Sequence, residues 1–331
     1  MLPPLDDLLA AAHVVRLPLR RRFRGILERE AVLLEGPAGW GEFAPFLEYG
    51  PAESARWLAA GVEAAWEGFP APRRERVEVN ATVPAVAAAD VPDVLAGFPG
   101  CRTAKVKVAE AGADFATRLR EDVARVAAVR EALGPDGRVR VDANAGWDLD
   151  QAERALTELA PSGLEYAEQP CATLEEMAAL RRRLAAAGTP VRLAADESVR
   201  KAEDPLRVAG LEAADVVVLK VAPLSGVRRA LEVARGCGLP VVVSSALDTS
   251  VGIAAGTALA AALPDLPFAC GLGTAALLAA DVVTDPLLPV GGSLPVGAVA
   301  ADPGLLERWA APQERQAWWR ERIAAAHAHL T

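Results

Sequence analysis

Lysine is scarce in this 331-residue chain, with only Lys105, Lys107, Lys201 and Lys220 against 31 arginines. The two side chains are not interchangeable. Arginine keeps its proton, whereas a lysine that is buried near another cation can give its proton up and act as a general base. Arginine takes nearly every surface cation role here, so the retained lysines ask for another task; Lys201 alone reads as a solvated helix residue. Lys105 and Lys107 stand two apart and share one face of a strand. Three carboxylates, Asp142, Glu168 and Asp196, close successive apolar runs, with Asn144 and Glu197 just beyond them. Carboxylates converging on one rim repel each other unless a cation lies between them. Oxygen ligands without His or Cys select a hard ion, Mg2+. The chemistry within reach is removal of a proton beside a carboxylate that a metal holds.

These residues need elements that bring them together. Short apolar strands are expected at 77–83, 103–108, 138–143, 163–168, 191–195, 215–219, 239–244 and 267–270, roughly 25–35 residues apart. Amphipathic helices are expected between most of them, at 113–133, 149–159, 174–187, 226–235 and 251–263. Eight βα units in a row, with no break halfway, predict an α/β fold of the (β/α)8-barrel type. Residues 1–75 form an α+β capping domain, 76–285 the barrel, and 286–331 a tail that packs back on the cap.

In such a barrel the βα loops build the reactive face. Strand two then delivers Lys105 and Lys107, strands three to five deliver Asp142, Glu168 and Asp196, and strand six delivers Lys220. Strands two and six lie on opposite sides, so ammonium groups flank whatever the metal holds. Ser244 and Ser245 end strand seven, and Gly271 and Gly273 follow strand eight, where barrels often bind a substrate anion. Arg24, with Arg22, is placed to reach the substrate from a loop of the cap.

Composition closes several other routes. A net charge of −9 gives no footprint for nucleic acid or an anionic membrane surface. The three histidines, at 13, 327 and 329, leave no imidazole in the body of the chain for a Ser-His-Asp triad or a zinc site. Four scattered cysteines suit a reduced, cytoplasmic setting. No basic leader precedes the first helix, and the apolar stretches 249–264 and 266–280 fall short of the ~18 residues that a span requires. The run Gly271-Leu-Gly273-Thr-Ala-Ala276 partly matches a dinucleotide fingerprint, but it stands too late in the chain for one and reads as a tight turn. A barrel that has lost its activity is disfavoured by the complete set of lysines and carboxylates.

The Lys105-x-Lys107 pair, Asp142-Ala-Asn144, Glu168-Gln-Pro, Asp196-Glu-Ser and Lys220 together resemble the enolase superfamily, and within it the muconate-lactonizing subgroup. The resemblance covers the whole chain. It implies that Asp142, Glu168 and Asp196 bind Mg2+, that Lys107 abstracts the proton, that Lys105 lowers the pKa of Lys107, and that Lys220 faces it across an enediolate which the metal stabilises. Asn144 and Glu197 are candidate supports for these groups. Further segments (Arg22-Phe-Arg24, Gly41-Glu-Phe-Ala-Pro-Phe46, Ser244-Ser-Ala-Leu-Asp-Thr-Ser and Gly271-Leu-Gly-Thr274) resemble members that dehydrate 2-succinyl-6-hydroxy-2,4-cyclohexadiene-1-carboxylate in menaquinone synthesis. Racemisation of N-succinylamino acids shares nearly all the motifs and stands as the alternative, alone or beside the dehydration. The expected partner is a small carboxylate; the oligomeric state stays open.

Overall fold

The computed structural model describes residues 2–23, 25–189, 191–199 and 204–331, without the side chains of 204–206; Arg24 and Lys201 therefore lie outside the described residues. After a short helix, α1 (Leu5–Ala10), strands β1 (Ala12–Phe23), β2 (Ile26–Gly36) and β3 (Gly39–Phe43) make an antiparallel sheet. Helix α2 (Pro51–Val62) covers it, with Trp57 and Leu58 buried, and runs on into a π-helical turn at Glu63–Glu67.

Strand β4 (Arg76–Glu78) leads to the parallel series β5 (Ala81–Val83), β6 (Thr103–Lys107), β7 (Arg138–Asp142), β8 (Leu164–Glu168), β9 (Leu193–Ala195), β10 (Val216–Leu219) and β11 (Val241–Val243), hydrogen-bonded in that order. Helices α3 (Val91–Ala96), α4 (Phe115–Leu133), α5 (Leu149–Leu159), α6 (Leu174–Ala186), α7 (Asp204–Gly210), α8 (Val227–Cys237) and α9 (Ser250–Ala262) follow successive strands. Their starts are written locally. Asp114, Asp148 and Thr249 accept hydrogen bonds from the first-turn amides of α4, α5 and α9, and Thr173 with Glu176 forms a capping box on α6.

The expected strand at 77–83 is divided. β4 pairs antiparallel with β12 (Ser293–Pro295), and only β5 joins the barrel. The expected strand at 267–270 is reduced to bridges: Cys270 pairs with Val79, and Gly271 with Ser244. These contacts close the barrel, with Asn80 N donating to Cys270 O at 2.9 Å and Gly271 N to Val243 O at 2.8 Å. Beyond β12, helices α10 (Pro303–Arg308) and α11 (Gln313–His327) end the chain. α11 lies on α2, and its Trp319 Nε1 donates to Glu30 Oε2 at 2.8 Å on β2.

Alternation along the strands sets the barrel interior. On β10, Val217 and Leu219 face the helices, while Val216 and Val218 join Tyr166, Ala194, Val242 and Phe268 in a separate interior cluster. Arg140 shares that layer, fully buried, its guanidinium 4.6 Å from the Tyr166 ring and bonded to Asn80, Ala269 O and Glu165. Arginine is thus not confined to surface roles: Arg29, Arg125 and Arg322 are buried as well. One step of two further along the strands comes the layer that opens to the βα loops.

Cap and barrel are joined by charge at a helix start. The Glu63 carboxylate accepts from the amides of Val227 and Arg228, the first residues of α8, where the helix dipole favours an anion. Gly226 has φ +124°, and a Cβ there would run into the Glu63 side chain, whereas Gly236 has open space around it. Gly226→Ala should therefore lower unfolding free energy by about 2 kcal/mol or more. Gly236→Ala, inside α8, should be neutral or stabilising by up to ~1 kcal/mol. Urea denaturation of the two variants measures both.

Candidate active site

The layer above Arg140 and Tyr166 gathers the residues singled out by type and spacing. Lys105 and Lys107 rise from β6, Asp142 from β7 and Glu168 from β8; Asp196, Lys220 and Ser244 directly follow β9, β10 and β11. Register makes this possible, since Lys107 pairs with Asp142 and Asp142 with Glu168 across neighbouring strands. Lys105 Nζ lies 2.6 Å from Glu168 Oε1 and 3.0 Å from Asp142 Oδ2. Lys107 Nζ lies 2.5 Å from the same Asp142 oxygen and donates to Asn144 Oδ1 at 2.6 Å. Asn144 Nδ2 in turn donates to Glu197 Oε1 at 3.0 Å, and Lys220 pairs with Asp196. Asn144 thus connects directly to Lys107, and Glu197 connects to it through Asn144.

Three ammonium groups meet three carboxylates, almost all of them out of water. Burial works against the charge on Lys105, but Asp142 and Glu168 outweigh it and hold this lysine well above its usual range. Burial lowers Lys107, and the Lys105 ammonium lowers it further against the pull of Asp142. Burial also opposes the Asp142 anion, yet the two lysines keep its carboxyl below the usual range. Glu168 is pushed up to about 7 by burial and by the Asp142 carboxylate. Two neighbours on one rim, pulled in opposite directions, leave Glu168 short of positive charge.

That shortage bears on a metal. Among the described residues, no group of three His, Cys, Asp or Glu side chains closes around a common point, because each of the three carboxylates leans on a lysine. Their chemistry nonetheless fits a hard cation: oxygen donors only, buried, and carrying more mutual repulsion than the lysines relieve at Glu168.

The remaining lining comes from both parts of the chain. Phe23 of the cap sits 5.7 Å from Lys107 Nζ, and Ser244, Ser245, Gly271 and Thr274 complete the pocket opposite Asp142. Ser245 Oγ donates to Gly271 O at 2.7 Å and bonds Thr274 Oγ1 at 2.7 Å. Both sequence-marked glycines are required by close packing. A Cβ on Gly271 would meet Ser244 Oγ, and one on Gly273 would meet Asn80 O and Phe98. Residues Gly273–Leu277 form a single 3-10 turn, not the long helix that a dinucleotide site places after its glycines. Asp215, at the opposite rim, is engaged by Arg181 and the Leu193 amide.

One lining residue escaped the sequence reading. Thr82 on β5 stands in register with Lys105, is 2% exposed, and its hydroxyl has no partner although it faces the pocket. Its signal was concealed by the division of the expected first strand, which left only the three residues Ala81–Val83 beyond a polar Asn80.

Residues 87–307 match a family model described as Enolase C-terminal domain-like, and residues 14–65 match one described as Enolase N-terminal domain-like. The chain is 57% identical over 327 residues to the o-succinylbenzoate synthase of Mycolicibacterium smegmatis, covering 98% of each chain. It is 60% identical over 312 residues to that of Thermobifida fusca, covering 94% of each. In fold it is similar to the muconate cycloisomerase of Pseudomonas fluorescens, with a TM-score of 0.75 at 22% identity over 91% of this chain and 98% of that one.

The charge lattice yields a stability prediction. Asp142→Asn leaves two buried lysines with too little negative charge, so in EDTA at pH 7 it should cost about 3–5 kcal/mol. The Asp142 pKa is depressed by folding, so its contribution is present above the unfolded carboxylate range and is lost as pH falls. The gap between wild type and variant should therefore narrow below about pH 4. Denaturation at pH 7 and pH 3.5 checks both statements.

Proposed function

The chain belongs to the o-succinylbenzoate synthases of the enolase superfamily, and from that premise we propose how its own residues carry out the reaction. It is a carbon–oxygen lyase that removes water from 2-succinyl-6-hydroxy-2,4-cyclohexadiene-1-carboxylate to form 2-succinylbenzoate in menaquinone biosynthesis. Enzymes of this superfamily depend on a divalent metal. We assign Mg2+, held by Asp142, Glu168 and Asp196. When bound, it would hold the substrate carboxylate and offset the negative charge that grows there as the proton leaves.

One observation carries the assignment of roles. Lys107 and Lys220 line the same pocket from β6 and from the end of β10, with the three carboxylates on the arc between them. Lys107 takes the proton from the ring carbon that bears the carboxylate. The electron pair left behind expels the hydroxyl group from the adjacent carbon, and the same lysine returns the proton to it, so that water departs and the ring becomes aromatic. Lys105 holds Lys107 toward its neutral form, and Lys220 remains cationic against the ring. Asn144, tied to both Lys107 and Glu197, fixes the direction of the Lys107 ammonium. Ser244, Ser245, Gly271 and Gly273 shape the far wall, and the Thr82 hydroxyl supplies a further hydrogen bond to substrate. Arg24 is assigned to the succinyl end from its position in the sequence of the cap.

The same arrangement of two lysines suits removal of an α-proton from one face of an N-succinylamino acid and its return to the other. That activity is the second reading, as a companion of the first. The proposal also divides the chain into cap (1–75), barrel (76–285) and returning tail (286–331). It places the enzyme in the cytoplasm, on the support of free cysteines at 101, 171, 237 and 270. No helix among the described residues is long and apolar enough to cross a membrane.

Offering both substrates in parallel, with Mg2+ and with EDTA, tests the reading. Aromatisation of the cyclohexadiene should require the metal, and its absence with Mg2+ present would refute the synthase role. Solvent deuterium entering the amino acid while the cyclohexadiene is untouched would install the racemase instead. Lys107→Ala and Lys220→Ala should each lower kcat by about 10^3 or more. Wild-type turnover in either would mean that the base is wrongly placed. Thr82→Val should raise KM about five- to tenfold, the loss of one hydrogen bond, with a smaller change in kcat.

A further inference from the structure

Two cap residues that touch neither the lysines nor the carboxylates hold the opposite wall of the pocket. The loop of residues 244–249 lines that pocket through Ser244, Ser245, Ala246 and Leu247. Its far end is gripped from the cap. Arg29 on β2, 3% exposed, donates from Nε to Leu247 O at 3.2 Å and from Nη2 to Ala44 O. Glu42 on β3 accepts at Oε2 from the Thr249 amide at 3.0 Å and from the Thr249 hydroxyl at 2.5 Å. Leu247 stands at φ +65°, a left-handed conformation that a leucine keeps only when its surroundings impose it. Asp248 lies between the two grips and accepts from the Ala246 amide at 3.1 Å. Gly252 leaves them room, since a Cβ there would meet both the Glu42 and the Asp248 side chains. A cavity of about 30 Å3 beside Trp57 and Ala60 connects this group to Lys220.

We propose that Arg29 and Glu42 are positioning residues for the reaction: by holding Leu247 and Thr249 they fix the 244–249 loop as the wall against which the substrate is bound. This inference rests on the lyase reading for its catalytic consequence but not for the grip itself. The barrel's own ties hold the near end of the loop from Ser245 to Gly271 and Thr274, and the far end where Thr249 caps α9; Arg29 and Glu42 add the cap's grip between and upon these. Within the loop the Asp248 carboxylate, accepting from the Ala246 amide, spans Leu247, and the cap adds the hold on the Leu247 carbonyl.

The grip also carries a proton dependence. Burial and the nearby Asp248 carboxylate push Glu42 up to about 8 against its hydrogen bonds from Thr249 and against Arg29; burial raises Asp248 as well, against the Ala246 amide, Arg29 and Lys220. The remaining neighbours of this group, on α2 and α9, are Trp57, Ala60, Ala64, Gly252, Ala255 and Gly256. Glu63 of the π-helical turn points away, to α8. Because the folded carboxyl is raised, the net stabilisation by this group is full below the usual carboxylate range and is lost as pH rises through about 8, burial and Asp248 outweighing the Thr249 bonds that favour the anion. Above that, two anions face each other beside a single guanidinium.

The test uses the full chain and two independent readings. In hydrogen–deuterium exchange, which needs no substrate, amides 246–251 should exchange about tenfold faster in Glu42→Ala and Arg29→Ala than in wild type, relative to the 271–277 segment. In steady-state kinetics Glu42→Ala should raise KM about tenfold and lower kcat by less, because a binding wall is loosened and the lysines are untouched. Glu42→Gln, which can still accept from Thr249, should recover at least half of the lost kcat/KM. It should also abolish the rise in KM between pH 7 and pH 9 expected of wild type. Should an alanine variant fail to fold, Glu42→Gln and Thr249→Val provide the same comparison. Unchanged exchange at 246–251 would overturn the grip even if the enzyme proves to be a racemase. Faster exchange with unchanged KM would overturn the positioning role alone.

Discussion

The structure depends on keeping three lysines and three carboxylates together where water is nearly absent. An isolated charge in that layer would cost several kcal/mol, and a pair is tolerated only when its geometry is good and its remaining hydrogen-bonding capacity is used. Asp142 accepts from both Lys105 and Lys107, Glu168 from Lys105, and Asn144 takes what Lys107 has left. The register of β6, β7 and β8 is what brings these atoms within 3 Å of one another. A slip of one residue would turn every one of them toward the helices.

Below this layer the barrel is plugged by Arg140, stacked on Tyr166 and bonded to carbonyl, amide and carboxylate partners on neighbouring strands. Above it lies the cap, attached at Glu63, at Arg29 and Glu42, and through α11. The reactive groups thus sit between a rigid floor and a roof secured at several points. Support on both sides would keep the base proposed here, Lys107, within ångströms of its proton, which is where much of the catalytic advantage of a preorganised site arises.

Much of this was legible in the sequence, for identifiable reasons. Strands of period two announce which residues face inward, so Lys105 with Lys107, Asp142, Glu168 and Lys220 could be placed from spacing alone. Amphipathic periodicity predicts a helix over 174–187, and α6 runs from Leu174 to Ala186. The eighth strand was legible only as an apolar run, since its pairing is confined to bridges at Cys270 and Gly271. Thr82 was hidden because β4 leaves the barrel for β12 before β5 begins. Arg29 carried no local signal, and Glu42 stood only within the Gly41–Phe46 segment marked by resemblance, with no role read for it. Their loop partners, Leu247 and Thr249, lie more than 200 residues away, so these contacts exist only once the cap has docked. Scarcity of lysine proved informative, whereas abundance of arginine did not distinguish Arg140 from its exposed counterparts.

The central claim is that Asp142, Glu168 and Asp196 form a single hard-cation site beside the lysines. Calorimetric titration of the metal-free protein with Mg2+, in wild type and in Glu168→Gln, tests it most directly. One ion per chain should bind to wild type, and removal of the Glu168 charge should weaken binding by at least tenfold while the protein stays folded. Binding of equal strength in the variant, or no binding to wild type, would contradict the account.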